Sequence, residues 1–316
     1  MIIKTPQDIT ASVLKELEGT TDSRFKEIMQ SAVKHLHAFV SETRLTETEY
    51  QRVCAVIAKL GQMTNESHNE VVLAGGSLGI SALVCLLNNG ETSSDGEFQT
   101  TANMLGPFWR DDSPLCENGA TLARGQTNGD PIFVKAWVKD RSGQPVCDAM
   151  VDVWHTSADG FYENQDPSQV DMNLRGRFKT NQDGLIEFRS VKPSGYPVPV
   201  NGPVGELLKM QGRHNMRPAH IHFLIFKEGY KTQFSQVYSK DDPYIESDVQ
   251  FGVTKSLLAN YVQHTTPAPD PSLRGTWYSL EHTFVIDKGL ASLPRAPIQG
   301  KNQNELPKQV VLKSKH

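Results

Sequence analysis

Arg217-Pro218-Ala219-His220-Ile221-His222-Phe223 decides how this chain is read. Apolar residues flank and separate the two histidines, the pattern of a β-strand. A strand turns successive side chains to opposite faces, so His220 and His222 project to the same side, a few ångströms apart. Two imidazoles on one rigid face, with Arg217 just before them, make half of a metal site plus a cation. Two ordinary surface histidines fit the same letters, so the rest of the chain must decide.

Around this segment the texture is that of strands. From Leu105 onward, short runs rich in Val, Ile, Phe and Trp (132–138, 149–155, 184–190, 219–226 and 283–286) alternate with turns such as Arg141-Ser142-Gly143, Asp159-Gly160 and Gln182-Asp183-Gly184. This spacing predicts an antiparallel sandwich or barrel-like β domain rather than βαβ units. The first hundred residues are helical instead. Phe25, Ile28, Met29, Val33, Leu36, Phe39 and Val40 form one apolar stripe. Thr46 and Glu49 form a capping box that starts a second helix bearing Tyr50, Val53, Cys54, Ile57 and Leu60. A third helix is expected over 69–87, apolar nearly all round after Gly79, which calls for cover by other helices or a partner subunit. Beyond Gly289 the Pro-, Lys- and Gln-rich chain reads as an extended arm over the surface, and Lys301, Lys308, Lys313 and Lys315 as its solvated charges. The expected organisation is therefore mixed α and β: an N-terminal helical domain over 1–104, a β-sandwich over 105–289 and an arm over 290–316.

Composition narrows the partners. With 38% hydrophobic and 22% charged residues the chain has a globular balance, and its net charge of −4 implies no nucleic-acid partner. Four scattered cysteines without a Cys-x-x-Cys pair argue against a zinc ribbon or disulfide framework and for a cytoplasmic location. The N-terminus does not read as a signal peptide. No run approaches the roughly 18 apolar residues of a membrane span.

Two tyrosines sit where strands break. Tyr162 follows Asp159-Gly160-Phe161, and Tyr196 lies in Lys192-Pro193-Ser194-Gly195-Tyr196-Pro197-Val198-Pro199, where prolines stiffen the path. Either alone also reads as an amphipathic packing residue with its hydroxyl in water. Together with other ordered motifs, however, they give the chain a resemblance to the intradiol ring-cleaving dioxygenases. The residues that carry it are Met104-Leu105-Gly106-Pro107-Phe108-Trp109, Val151-Asp152-Val153-Trp154-His155 through Gly160-Phe161-Tyr162, Asn173-Leu174-Arg175-Gly176, Tyr196-Pro197, and the opening Arg217–His222 segment.

The resemblance implies one non-haem iron(III) per subunit, held by Tyr162, Tyr196, His220 and His222. The chemistry of that set is coherent, because phenol, with a pKa of about 10, ionises at neutral pH only beside a strong cation. It further implies that a catechol-type diol chelates the metal, displacing Tyr196, and that dioxygen then opens the ring between the two hydroxylated carbons. Displaced ligands take up the substrate protons, so no separate base is needed. Arg217 is expected to face developing negative charge, with a loop-orienting salt bridge as its plain alternative. Gln236 is the expected amide near the ring and Gln233 its close competitor.

Other candidates rank lower. His155 is expected to be a hydrogen-bonded structural residue, His214 a loop or outer-sphere residue, and His35 and His37 helix packing. Trp109 stands where relatives commonly carry tyrosine. The expected ring pocket comprises Leu73, Gly76, Met104, Pro107, Phe108, Phe251 and Gly252.

Similarity of 242–248, of the helix at Leu78-Gly79-Ile80-Ser81 and of Leu105-Gly106-Pro107-Phe108 to one branch of the family points to hydroxyquinol as substrate and maleylacetate as product. Catechol or a substituted catechol, giving cis,cis-muconates, is the alternative. The chain departs from that branch at Ala74-Gly75-Gly76-Ser77, where relatives often carry an acid that meets the third hydroxyl. A non-catalytic β-sandwich binding protein, or a zinc hydrolase using only the histidines, are readings of other classes. The resemblance also implies a homodimer through the N-terminal helices, with a phospholipid or fatty acid in an apolar tunnel at its interface.

Overall fold

The computed structural model describes residues 2–65, 68–88, 99–301 and 309–314. It divides into two compact units, Met1–Ala58 and Lys59–His316. The first contains helices α1 (Pro6–Glu16) and α2 (Ser23–Thr43) and most of α3 (Glu47–Met63). Asp22 caps α2 by accepting from Phe25 N at 2.9 Å. The box at the start of α3 is reciprocal: Thr46 N donates to Glu49 Oε2 at 2.9 Å and Glu49 N to Thr46 Oγ1 at 3.3 Å. His37 pairs with Thr10 Oγ1 at 2.8 Å, a packing role. Phe25, Ile28, Leu36, Phe39 and Val40 of α2 are exposed.

The sequence pattern sets the domain boundary at 104, whereas the compact units part at 58/59. The helix expected over 69–87 is two helices, α4 (Glu70–Ser77) and α5 (Ile80–Asn88), bent by 74° at the break. Gly79, at φ +74°, supplies the left-handed turn that breaks them. They belong to the second unit because α4 is bonded into it. The buried Glu70 carboxylate accepts from Val204 N, 3.0 Å away in the first turn of α6 (Pro203–Met210), and from His68 at 2.7 Å. The short α6 had no clear signature amid Pro and Gly. Among the described residues, no single helix is long and apolar enough to cross a membrane.

The strands are β1 (Pro131–Asp140), β2 (Met150–His155), β3 (Arg175–Lys179), β4 (Leu185–Val191), β5 (Tyr196–Pro197), β6 (Met216–Arg217), β7 (His220–Phe226), β8 (Gln233–Ser239), β9 (Leu258–Ala259), β10 (Val262–His264) and β11 (Trp277–Ile286). One sheet has the order β10-β11-β1-β4, a second β3-β2-β7-β8-β9, and β5 and β6 make a small ribbon. Pairing is antiparallel except for β1 with β11 and β8 with β9. The two larger sheets pack face to face. Val134, Val138, Ile186 and Phe284 of the first meet Val151, Ile221, Phe223 and Ile225 of the second in one buried core. A second apolar cluster, with Leu73, Phe108, Trp154, Val204, Leu208 and Leu224, covers the other face of the five-stranded sheet. The described residues of the C-terminal arm form no helix or named strand, and they are not merely solvated. Ala296 and Ile298 are buried in that second cluster, and Lys301 donates to the Gln169 carbonyl. Lys308 and Lys315 lie outside the described residues.

Candidate metal centre

Strand β7 separates the two jobs of the five-stranded sheet. Ile221, Phe223 and Ile225 point into the inter-sheet core, so His220, His222 and Leu224 point outward. Cross-strand partners share a face. Trp154 pairs with both Arg175 and His222, His222 with Gln236, and His220 with Tyr238. One row of the outer face therefore reads Arg175, Trp154, His222, Gln236. Trp154 stacks on the His222 ring at 4.6 Å and 12°, fixing its plane.

The tyrosines reach this face from loops. Tyr162 follows a turn closed by Gly160 N to Ser157 O at 3.0 Å. Gly160 has φ +80°, and a Cβ there would lie 3.2 Å from the Tyr196 Cβ, so glycine lets the two loops approach. Tyr196 pairs with Arg217 across the β5–β6 ribbon, which brings it beside the start of β7.

Tyr162 Oη lies 2.9 Å from His222 Nε2, 3.4 Å from His220 Nε2 and 3.4 Å from Tyr196 Oη. All four side chains are buried. His220 Nδ1 is 2.7 Å from the Pro218 carbonyl, which can only accept, so Nδ1 carries the proton and the Nε2 lone pair faces the cluster. Burial, reinforced by the Arg217 charge, pushes His220 down to about 3. Burial and then His220 hold His222 well below the usual histidine range. Burial, and next the neighbouring Tyr196, push the Tyr162 phenol well above its usual value. Burial thus keeps Tyr162, His220 and His222 neutral, and Tyr196 adds a second phenolic oxygen beside them. His222 Nδ1 has no partner among the described residues. Hard oxygen and imidazole nitrogen donors that become anionic only beside a strong cation fit a hard, highly charged metal ion. No group of three or more His, Cys, Asp or Glu among the described residues offers another metal site.

Arg217 is buried beside the donors, with Nη1 3.5 Å from His220 Nε2. Its Nε and Nη2 each lie 3.0 Å from the Asp248 carboxylate, and Nη2 also donates to Gln236 Oε1 and Tyr238 Oη, both at 2.8 Å. Burial opposes its charge, but Asp248 and the two nearby phenols, Tyr238 and Tyr196, hold its pKa well above normal. Both readings of Arg217 are present at once: it is locked in a salt bridge and one nitrogen is left facing the cluster. Gln236 Nε2 donates to the Met104 carbonyl at 2.7 Å. Gln233 instead bonds the Thr101 carbonyl at 2.8 Å, so Gln236 is the amide beside Arg217.

Of the expected pocket residues, Phe108 lies 4.5 Å from the Tyr162 ring, and Leu73 shares its apolar cluster with both tyrosines. Met104 is buried, and half-buried Pro107 follows Gly106, where a Cβ would come within 3.3 Å of the His222 ring. At Gly252 a Cβ would lie 2.4 Å from Tyr238 Oη and 3.0 Å from Arg217 Nη2, so no side chain fits. Gly76 is covered by Gln250. Phe251 is half exposed with the Arg213 guanidinium 4.8 Å from its ring centre. A cavity of about 450 Å³ touches Tyr196 and is lined by Phe161, Val200, Asn201 and Lys209 and by none of these seven.

The lower-ranked residues behave as packing groups. His155 bonds the Thr156 carbonyl and Ser190 Oγ, each at 2.7 Å. His214 bonds Ser247 Oγ at 2.9 Å. Trp109, lacking a phenol, gives its indole N–H to Asp152 at 2.9 Å. Asp248 and Tyr238 were not singled out from the sequence. Tyr238 had a signal, since it lies two residues beyond Gln236 on the same strand face, whereas Asp248 had none beyond its segment.

Residues 104–282 match the dioxygenase family model, and residues 22–96 match the model for the catechol dioxygenase N terminus. The chain belongs to the intradiol ring-cleaving dioxygenase family. It is 38% identical over 279 residues to a hydroxyquinol 1,2-dioxygenase of Rhizobium sp. (strain MTP-10005), covering 87% of this chain and 93% of that one. It is 37% identical to the 6-chlorohydroxyquinol 1,2-dioxygenase of Cupriavidus pinatubonensis, covering 90% and 98%. The solved structure of hydroxyquinol 1,2-dioxygenase from Pseudomonas putida DLL-E4 superposes with a TM-score of 0.79 at 36% identity, covering 90% and 99%.

Proposed function

We propose that this chain cleaves hydroxyquinol (benzene-1,2,4-triol) between its two adjacent hydroxylated carbons, using dioxygen, to give maleylacetate. One non-haem iron(III) per subunit is held by Tyr162, Tyr196, His220 and His222. The observation that carries the reading is the convergence of two buried phenols and two neutral imidazoles, with Tyr162 Oη within hydrogen-bond distance of the other three groups. Similarity to relatives that act on hydroxyquinol and its chloro derivative supports the substrate.

The chemistry that ferric iron supplies when bound is chelation of both diol oxygens and withdrawal of electron density that exposes the ring to dioxygen. The protein does the rest. Tyr196 takes up a substrate proton at Oη. Arg217, oriented by Asp248 and Gln236, keeps a fixed positive charge beside the reacting oxygens, where a preorganised donor contributes several kcal/mol. Phe108 and Leu73 exclude water around Tyr162.

We place the enzyme in the cytoplasm as a homodimer joined through its N-terminal helices, a reading supported by the exposed apolar residues of α2. A phospholipid or fatty acid would occupy the apolar interface. Light scattering and organic extraction of purified protein test these two assignments. For the activity, oxygen consumption with hydroxyquinol should exceed that with catechol, in a red protein with one iron per chain. His220→Ala should lose the iron, and Arg217→Ala should keep the colour while kcat falls about a hundredfold. Colourless wild-type protein that consumes no oxygen with either diol refutes the function.

A further inference from the structure

Gln250 is a buried, unspent hydrogen-bonding group next to the donor cluster. It is 5% exposed. A Cβ built on Gly76 would lie 3.0 Å from the Gln250 Cδ, 3.1 Å from Oε1 and 3.2 Å from Nε2. Near-equal distances to all three atoms mean that the carboxamide lies flat on Gly76. A Cβ there would push the carboxamide aside by a few tenths of an ångström. Its face is packed, but neither Oε1 nor Nε2 has a hydrogen-bond partner among the described residues. Neither atom is completely sealed from solvent, so the unpaired carboxamide stays within reach of a small ligand that could pair it.

The backbone that carries the carboxamide is held still. The Asp248 carboxylate accepts from Gln250 N at 3.2 Å and from Gly252 N at 2.9 Å while it grips Arg217. The loop carrying Gln250 is thus fastened to the same guanidinium that reaches His220. On the other side, Leu73 lies one helical turn before Gly76 on the same face of α4 and packs in the cluster with Tyr162, Tyr196 and Val249. Gln250 therefore sits on the loop that anchors Arg217, with its carboxamide against the α4 face that carries Gly76 and Leu73.

We propose that Gln250 determines substrate specificity, its carboxamide hydrogen-bonding a polar substituent on the aromatic ring beyond the two oxygens of the diol. This rests on the diol reading above and names what selects among diols. Because an amide both donates and accepts, a hydroxyl satisfies it and a methyl group of similar size leaves it unpaired.

The test uses the iron-loaded protein without oxygen and reads binding from the optical change. The probes are hydroxyquinol and 4-methylcatechol, which differ by a hydroxyl in place of a methyl at one ring position. Wild type should bind hydroxyquinol about tenfold more tightly, the worth of one neutral hydrogen bond with its desolvation. Gln250→Met keeps the length and removes the polarity, and should bring the ratio to about one chiefly by weakening hydroxyquinol. Gly76→Ala, which displaces the carboxamide, should shift the ratio the same way. A wild-type ratio near one, or a Gln250→Met ratio equal to that of wild type, overturns the assignment. Failure of wild type to bind either diol would instead overturn the reading of the centre itself.

Discussion

The two tyrosines of the donor cluster are mounted by opposite means. Tyr162 is clamped. Its neighbour Glu163 receives Arg175 Nε at 2.5 Å, its next neighbour Asn164 receives Arg175 Nη2 at 2.9 Å, and Nη1 of the same guanidinium holds the Phe108 carbonyl at 2.6 Å. One buried cation thereby fixes both the loop that carries Tyr162 and the aromatic ring packed against it. Tyr196 sits on a two-residue ribbon strand, and among the described residues its hydroxyl has one hydrogen-bond neighbour, Tyr162 Oη at 3.4 Å. The restraint on its loop is indirect. Asn215 donates to the carbonyls of Val198 at 2.7 Å and Val310 at 2.9 Å and accepts from Leu312 N at 2.8 Å, so the C-terminal arm ties the loop down. The contrast matches the proposed roles, in which Tyr162 is the permanent donor and Tyr196 the one that leaves when substrate arrives.

The contrast can be broken most severely at Arg175. Arg175→Ala leaves the buried Glu163 carboxylate with Arg110 alone, 3.2 Å away, and should cost about 3 kcal/mol in denaturant unfolding, the low end of the range for a broken buried ion pair. Removing the phenolic oxygens should rank the two mounts directly. In competition against a chelator, Tyr162→Phe should weaken iron binding by about a hundredfold and Tyr196→Phe by about tenfold. Equal losses would erase the distinction. Asn215→Ala leaves several backbone groups unpaired and should cost about 1–3 kcal/mol. Hydrogen exchange should then quicken around 196–200 while 160–164 stays protected. The smallest effect is acid sensitivity at the root of the Tyr162 loop. Burial holds His155 down to about 4, against a usual value of about 6.5. Between those values the unfolded chain takes up a proton that the folded chain refuses, so stability is intact above pH 6.5 and falls as the pH drops toward 4. At pH 5.5 the loss should be about 1 kcal/mol, and the slope should flatten in His155→Gln.

What could be read from the letters follows the same division of labour. Strands β1, β2, β4 and β7 announce themselves because their inward residues are aliphatic or aromatic and recur at every second position. The polar strands β3 (Arg-Gly-Arg-Phe-Lys) and β8 (Gln-Phe-Ser-Gln-Val-Tyr-Ser) were not foreseen, since their outer faces carry Arg175, Gln236 and Tyr238 to the site. Function there overwrote the apolar signal. Alternation alone put His220 and His222 on one face, but Tyr162 and Tyr196 needed the family resemblance, because two turn-borne tyrosines far apart in the chain carry no local sign of meeting. The contact of Gln250 with Gly76 joins residues far apart in the chain, and no pattern in either segment hints at it.

The two-sided character of β7 has a practical outcome for anyone redesigning the enzyme. Side chains that give the sandwich its cohesion and those that greet the aromatic ring alternate along one strand but never share a surface. A mutant library confined to Gln250 and Phe251, which lie off this strand, should therefore sample new substrates while leaving the donors and the inter-sheet packing intact, so that most of its members remain folded enough to be screened.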